Sequence, residues 1–180
     1  MNLLLRLLKT VLAALWFRKR LHPLAVSELV LRVWPTDCDP NLHMTNARYP
    51  SMMDLGRLDL LIRTGMGRLM WKRRWSPVLG SMMIRYRREL RPFQPFRLKS
   101  RVMGWDGKWI YLEHVFETMD GEVAAIAIGR GVFVGAQGTV PVAELLTAAG
   151  VPDAVSPPIP PAVAAWTAAE QDLTGSARAA

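Results

Sequence analysis

The sequence is poor in the residues that form disulfides and bind metals. Among its 180 residues there are one cysteine, Cys38, and three histidines. A single cysteine excludes an intrachain disulfide, and so few histidines give no Cys/His pattern for a structural metal. We therefore expect a reducing, cytoplasmic location with no metal site and no other cofactor. No basic residue adjoins Cys38 to lower its pKa, so we expect it to be passive.

The chain also lacks a long uninterrupted apolar run. Its first segment, "MNLLLRLLKTVLAALWFRKRLH", is apolar over fewer than the roughly 20 residues that a bilayer crossing needs, and Arg6 and Lys9 interrupt it. The basic residues 18–20 follow the apolar part, which is the wrong order for a secretory signal peptide. The spacing predicts an amphipathic basic helix within residues 1–22. Such a helix either lies on an anionic membrane surface or packs on its own domain.

Acidic residues are outnumbered. There are 15 Asp and Glu against 23 Lys and Arg, a formal net charge of +8, which favours anionic partners. The body of the chain has no compact Lys/Arg tract, no zinc-ligand spacing and no aromatic RNA-binding strand, so we expect no nucleic acid partner. A length of 180 residues fits a single folded unit with a sizeable core.

One strand-like segment precedes one long helical segment. Residues 26–34 alternate between apolar and charged side chains, as a half-buried strand does. Residues 46–65 carry apolar side chains at helical spacing, and Gly65 marks the end of the helix. Gly56 interrupts the apolar face, where it weakens helix propensity by roughly 1 kcal/mol relative to alanine. We expect the helix to approach a sheet closely at that glycine.

From Ser76 onward the pattern is that of strands. Four alternating segments follow, and the Asp-Gly dipeptides at 106–107 and 120–121 predict tight hairpins. One strand, one long helix and an antiparallel meander together predict an α+β fold in which the sheet wraps around one central helix. We place this main domain at residues 23–137 and a C-terminal helix with a Pro-rich tail at 138–180.

Polar residues crowd the segment "PTDCDPNLHMTNARYPSMMD" at 35–54. Asp39, Asn41 and His43 alternate along it, so their side chains can converge on one side. Turn chemistry alone also accounts for the segment, because Asp39 before Pro40 suits an Asx turn and Asn46 suits a helix N-cap. The residues by themselves leave both interpretations open.

The order of the elements resembles the hotdog fold. "DCDP", followed by Tyr49 and "MMDLGR", resembles the 4-hydroxybenzoyl-CoA thioesterase family. The same segment is similar to the plant acyl-ACP thioesterases, whose pattern is filled here by Asp37, Asp39, Asn41, His43, Asn46 and Tyr49. "YRREL" at 86–90 resembles a strand of those enzymes, with Glu89 as their acidic residue. Nearly the whole chain resembles the thioesterase-superfamily-member-6 group.

The resemblance implies a thioester hydrolase. The expected catalytic residues are Asp39, Asn41, His43 and Glu89. Asp39, helped by Glu89 from the second strand, is expected to act as base or nucleophile, while Asn41 and His43 orient the water and the carboxylates. Two neighbouring carboxylates would raise the pKa of one of them.

The same resemblance implies a substrate site at the start of the long helix. The expected substrate-binding residues are Asn46, Ala47, Tyr49 and Met53. Backbone N–H groups near Asn46 and Ala47 would polarise the thioester carbonyl, because a helix N-terminus offers unpaired donors and positive potential. The Met-rich helix face is either core or the floor of a groove for an acyl chain.

The expected substrate is an acyl-CoA or acyl-ACP thioester, hydrolysed by a homodimer or a dimer of dimers. The Arg-rich residues 85–91 would then meet the phosphates of CoA or an acidic carrier protein, or else form a solvated or membrane-facing surface. A non-catalytic acyl-lipid-binding or membrane-docked hotdog protein is the alternative. A hotdog hydratase or dehydratase fits less well, because His43 lies only four residues after Asp39.

Overall fold

The computed structural model describes the backbone of residues 2–179 and the side chains of residues 3–172. The helices are α1 (Asn2–Leu12), α2 (Arg48–Arg63), α3 (Met66–Arg73), α4 (Val142–Ala148) and α5 (Pro161–Ala179). The strands are β1 (Ser27–Arg32), β2 (Ser76–Tyr86), β3 (Pro95–Trp105), β4 (Ile110–Thr118), β5 (Val123–Gly135) and β6 (Gly138–Val140). A π-helical turn at Ala13–Phe17 extends α1, and a 3-10 turn at Pro35–Asp37 follows β1.

All strands pair antiparallel in the order β1-β3-β4-β5-β2, and β6 pairs with the end of β5. Both predicted Asp-Gly hairpins are confirmed, since they join β3 to β4 and β4 to β5. In the second hairpin Gly121 has a φ of 90°, a conformation that glycine adopts without strain. Strands β1 and β2 form the two edges of the five-strand path.

Helix α2 packs against the inner face of this sheet. Its buried side chains and those of the sheet form one core, in which Tyr49, Met52, Met53, Leu55, Phe96, Leu98 and Phe116 take part. The predicted close approach at Gly56 is confirmed, because a Cβ atom there would lie 2.3 Å from Ser100 Oγ. The α+β architecture with one long central helix is therefore as expected from the pattern.

Helix α1 packs on the domain through its polar stripe. Arg6, Thr10 and Ala14 are buried and lie on one face of the helix. The opposite face is apolar and exposed, and it carries Leu4, Leu5, Leu8, Leu15, Trp16 and Phe17, between 54% and 84% exposed. The helix predicted within residues 1–22 is thus confirmed, and it is packed with Arg6 and Thr10 inward, whereas Lys9 is exposed. Among the residues described, no helix is both long and apolar enough to cross a membrane.

The C-terminal residues cover the outer face of the sheet. Val163 of α5 is fully buried and packs with Tyr111 and Ile128. Arg130 of β5 lies 2.6 Å from the Glu170 carboxylate and stacks over the Trp109 ring. Between α4 and α5 the Pro-rich segment crosses β3, where the N–H of Trp105 donates to Ser156 Oγ over 2.9 Å.

Candidate active site

A tight turn precedes α2 and presents the predicted polar residues. Cys38 and Met44 form an isolated antiparallel bridge that brings the two ends of the turn together. Inside it, the N–H of Asp39 donates to the His43 carbonyl over 3.1 Å, and the N–H of Leu42 donates to the Asp39 carbonyl over 3.0 Å. Leu42 adopts a φ of 59°, an uncommon backbone conformation for a residue other than glycine. The turn is therefore specified by its own hydrogen bonds.

This turn brings Asp39 and His43 together. Asp39 Oδ1 lies 3.6 Å from His43 Nδ1, and the two side chains are 28% and 34% exposed. The same Asp39 Oδ1 accepts a hydrogen bond of 3.0 Å from the backbone N–H of Asn41. The Asx-turn interpretation is thus correct for the backbone, and the same carboxylate also faces the imidazole. Asn41 contacts Asp39 through its main chain, and the residue is exposed.

Asp37 holds the start of the turn through buried hydrogen bonds, a role that we did not predict. Its carboxylate is fully buried and accepts hydrogen bonds from the Trp34 N–H over 2.8 Å and from Arg6 over 2.6 Å. Arg48 Nε lies 3.5 Å from the other oxygen. Asp37 is the first residue of the Asp-x-Asp pattern, so the sequence signal was present. Its partner Arg6 is too distant in sequence for local patterns to identify.

The N-terminus of α2 lies at the end of this segment. Asn46 and Ala47 are exposed and immediately precede the helix. Arg48 N–H donates to the Thr45 carbonyl, whereas the N–H groups of Asn46 and Ala47 have no backbone acceptor among the described residues. The Tyr86 hydroxyl at the end of β2 donates to the Asn46 carbonyl over 3.3 Å. Two free donors are thus held at a helix start next to β2.

Tyr49 and Met53 belong to the packed core under this helix start. The Tyr49 ring makes edge contacts with the rings of Tyr86 and Phe116, at centroid distances of 5.0 and 4.9 Å. Burial, with a smaller effect of Tyr86, raises the pKa of Tyr49 to about 12. Met53 is fully buried among core side chains. In this single chain both residues are packed and neither lines the apolar cavity described below.

Glu89 lies outside the strand in which the sequence placed it. Strand β2 ends at Tyr86, so "RREL" forms the loop that leaves the sheet. The Glu89 carboxylate is 2.6 Å from Arg91 and is about half exposed. Its neighbour Leu90 is fully buried, and the Leu90 carbonyl accepts a hydrogen bond from the Met44 N–H. The loop backbone thus reaches the turn, while the Glu89 side chain is engaged with Arg91.

Cys38 sits between the two aspartates. Burial first, and then the charges of Asp37 and Asp39, raise the pKa of the Cys38 thiol above its usual value. A raised pKa disfavours the reactive thiolate, which agrees with a passive cysteine. Across the described residues, no group of three or more His, Cys, Asp and Glu side chains is arranged to hold a metal ion.

An apolar cavity of about 450 Å³ lies farther along α2, between the helix and the sheet. It is lined by the second half of α2, by β2, β3, β4 and β5, by α4, and by Leu7 of α1. Asp54, Arg57 and Thr64 are the polar α2 residues in its wall. Its volume is within the range of small-molecule sites. Neither Asp39 nor His43 lines it.

Comparison with known proteins places this geometry in a family. The model of the thioesterase-like superfamily matches residues 33–167. A relative in Drosophila melanogaster, Protein THEM6, is 38% identical over 89 residues, which are 49% of this chain and 46% of that protein. The chain spans about half the length of the curated relatives it matches.

Two solved structures share the fold. YbaW, a probable thioesterase from Escherichia coli, superposes with a TM-score of 0.65 at 22% identity and covers 69% of this chain and 96% of its own. A 1,4-dihydroxy-2-naphthoyl-CoA thioesterase from Synechocystis superposes with a TM-score of 0.61 at 10% identity, covering 72% and 97%. The sheet wrapped on α2 is therefore the hotdog fold, and this chain belongs to the thioesterase-like superfamily.

Proposed function

We propose that the protein is an acyl thioesterase whose site is the turn at residues 39–43 together with the start of α2. The observation that carries the proposal is the 3.6 Å approach of Asp39 Oδ1 to His43 Nδ1, in a half-buried turn directly before a helix N-terminus. Membership of the thioesterase-like superfamily supports it. A carboxylate, an imidazole and free backbone donors are the groups that thioester hydrolysis requires.

The chemistry assigns a distinct task to each group. As a general base, Asp39 would take a proton from water, and the oxygen of that water would attack the thioester carbonyl carbon. The C–S bond then breaks, and the leaving thiolate takes up the proton. As a nucleophile, Asp39 would attack the carbonyl carbon itself and displace the thiolate as the C–S bond breaks, which forms an anhydride that water hydrolyses. In both routes His43 orients the carboxylate, and the exposed side chain of Asn41 is free to bind water.

The start of α2 is suited to hold the carbonyl oxygen. The N–H groups of Asn46 and Ala47 have no backbone acceptor among the described residues, and they add to the positive potential of the helix end. Such donors bind an oxyanion more strongly than a ground-state carbonyl. Tyr86 fixes this helix start through the Asn46 carbonyl. Tyr49 and Met53 would contact substrate only if the core opened or a partner chain extended the site.

We propose acyl-CoA as the substrate class, with acyl-ACP as the second choice. A CoA thioester is the substrate named for the Synechocystis structural neighbour. The exposed arginines 87, 88 and 91 follow β2, whose last residue Tyr86 contacts the helix start. Cations at this position suit the phosphates of CoA. Glu89 would influence the site through Arg91 unless the loop rearranges.

We propose a homodimer formed through β2. This strand is at one edge of the sheet, and its residues 76–80 are exposed. Pairing of β2 with a second β2 would satisfy the unpaired backbone groups and make one continuous sheet. The helix starts of both subunits would then lie near the interface, because Tyr86 belongs to the same strand.

We also propose that the exposed face of α1 rests on an anionic membrane surface facing the cytoplasm. Leu5, Leu8 and Trp16 project away from the domain, while Lys9, Lys19 and Arg20 are exposed beside them. Apolar side chains flanked by cations fit the boundary of an anionic leaflet. The buried polar stripe supports this placement, because among the residues that the structure describes it leaves Leu5, Leu8 and Trp16 exposed.

The activity is tested with the full-length chain, because Arg6 and Arg18 of the N-terminal segment pair with the buried Asp37 and Asp59. Release of CoA from acyl-CoA esters of increasing chain length is measured for wild type, Asp39→Asn and His43→Ala. Loss of the carboxylate should lower kcat/KM by about 100-fold or more. Asp153→Asn, in an exposed loop, is the control.

Two outcomes would contradict the assignment. Wild-type rates in Asp39→Asn and His43→Ala would remove the turn from the mechanism. An absence of hydrolysis with every ester, combined with tight binding of acyl chains, would favour the acyl-lipid-binding alternative, which the apolar cavity also accommodates.

A further inference from the structure

Two buried nitrogen atoms near the middle of α2 lack a hydrogen-bond partner. They are Arg57 Nη1 and His114 Nε2, and no other buried side-chain nitrogen or oxygen in residues 3–172 shares this state. Buried polar atoms in native proteins are nearly always partnered. Two exceptions in one region therefore indicate a place where an additional polar atom binds.

His114 is fixed and neutral. It is fully buried in β4, and its Nδ1 lies 2.9 Å from Ser100 Oγ, the directly opposed residue of β3. Gly56 of α2 closes over Ser100, so the pair cannot move toward the helix. Burial, and then the charge of Arg57, lower the pKa of His114 to about 3. When the Ser100 hydroxyl donates to Nδ1, the proton of the neutral ring is on Nε2, which is then a donor.

Arg57 supplies a second hydrogen-bond donor, and its positive charge is balanced by the Asp54 carboxylate. One end of its guanidinium group donates to the Asp54 carboxylate, and the Nη1 end has no acceptor. The Arg57 side chain is only 16% exposed. Because Asp54 already pairs with this cation and would repel another carboxylate, the atom that best suits Nη1 is a neutral oxygen.

Arg57 is part of the wall of the apolar cavity, and His114 is next to that wall in β4 without being one of its lining residues. Arg57 and Asp54 are in its wall, as are Val102 of β3 and Leu112 of β4. Val102 and Leu112 oppose each other two residues from the Ser100 and His114 pair, and alternate residues of a strand point to the same face. The polar pair thus continues the cavity wall on the side of the sheet that faces α2.

We propose that the cavity binds an acyl chain bearing a hydroxyl or carbonyl oxygen, and that Arg57 and His114 bind this oxygen. The cavity supplies apolar walls for the methylene groups, and the two donors select the oxygenated chain over a plain one. Arg57 is ten residues beyond Ala47, about 15 Å along the helix axis, so the oxygen lies away from the thioester. This inference rests on the proposed function in one respect, which is that the ligand is the acyl chain of a substrate or product.

The test measures binding and needs no turnover. Lauric acid and hydroxylauric acids, with the hydroxyl near the carboxylate, at mid-chain or at the methyl end, are titrated by calorimetry into the full-length protein. We expect one hydroxy isomer to bind about ten-fold more tightly than lauric acid, the value of one good hydrogen bond to a buried donor. Arg57→Met and His114→Asn should each abolish that preference. His114→Asn can keep the bond to Ser100, so it serves if the other variant fails to fold.

Two further variants locate the effect. Arg101→Met, which removes an exposed ion pair with Glu113, should keep the preference. Ala149→Trp places a large side chain in the cavity wall and should weaken the binding of all the acids. Equal affinities for lauric acid and every hydroxy isomer would overturn the proposal. A preference that survives in both donor variants would also overturn it, as would binding that Ala149→Trp leaves unchanged. The absence of any binding would overturn it too, and ordered water would then be the partner of both nitrogens. Inactivity of the Asp39 site would alter none of these readouts.

Discussion

Arg6 of α1 donates to the buried carboxylate of Asp37 over 2.6 Å. The same guanidinium group donates to the Arg32 carbonyl over 2.8 Å and contacts Met52 Sδ at 3.0 Å. One side chain thus joins α1, β1, the turn before the site and α2. The N-terminal helix is consequently part of the structure that positions Asp39, two residues beyond Asp37.

We expect Arg6→Met to destabilise the protein by about 3 kcal/mol, because it leaves the Asp37 charge buried with fewer partners. Urea unfolding monitored by tryptophan fluorescence measures the change. Lys9→Met is the control, since Lys9 is on the same helix and exposed, and it should cost less than about 0.5 kcal/mol. Equal effects of the two substitutions would show that the Arg6–Asp37 pair does not hold the helix in place.

Gly56→Ala should destabilise the protein although alanine favours helices. The new Cβ atom would lie 2.3 Å from Ser100 Oγ and 3.1 Å from Leu98 Cδ2, and Ser100 is held by His114. Overpacking costs about 1–3 kcal/mol, and a contact this close should cost more than the propensity gain of roughly 1 kcal/mol.

Gly67→Ala in α3 is the matched control, because the nearest atom to its added Cβ is 3.6 Å away. That substitution should raise the unfolding midpoint in urea. If both glycine variants are stabilised, α2 does not press on the sheet at Ser100.

The sequence predicted those features of the structure that depend on residues close together in the chain. The two Asp-Gly hairpins, the end of α2 near Gly65 and the close approach at Gly56 each depend on a few neighbouring residues, and all three are confirmed. The inward direction of the polar stripe of α1 was not predictable, because periodicity shows that a helix has two faces and not which one packs. Its determinant is the pairing of Arg6 with Asp37, 31 residues away.

The candidate site shows the same division. The turn that joins Asp39 to His43 is local, and the Asp-x-Asp-x-Asn-x-His pattern indicated it. The side chain of Glu89 was placed by resemblance on a strand, but β2 ends three residues earlier and Arg91 binds the carboxylate. The cavity and its donors combine α2 with β3 and β4, so no single segment contained their signal.

His114 should make the protein less stable in acid. Its pKa is lowered to about 3 in the folded state, whereas an unfolded histidine titrates near 6.5. Between about pH 3 and pH 6.5 the unfolded state therefore binds one more proton than the folded state, and each pH unit below about 6.5 costs up to roughly 1.4 kcal/mol of stability.

Urea unfolding between pH 7 and pH 5 measures how steeply the free energy of unfolding changes with pH. His114→Asn should flatten this dependence relative to wild type, and His22→Asn, at an exposed histidine, is the control. Parallel slopes for wild type and His114→Asn would show that the buried imidazole takes up its proton while folded.

The exposed face of α1 leads to a prediction about lipid binding. Leu5 and Leu8 are 65% and 54% exposed, so Leu5→Asp with Leu8→Asp changes the apolar face without opening the core. This double variant should lose sedimentation with anionic vesicles, because charged side chains oppose entry into the acyl boundary. Circular dichroism and the unfolding midpoint should remain near wild type, which separates lost binding from misfolding. The control places the same two aspartates at two exposed apolar positions outside α1, with Val30→Asp and Val155→Asp. That control should still sediment.

Higher salt should weaken binding of the wild type to anionic vesicles, since cations such as Lys19 and Arg20 contribute only while unscreened. Undiminished sedimentation of the Leu5→Asp, Leu8→Asp protein would contradict the membrane proposal.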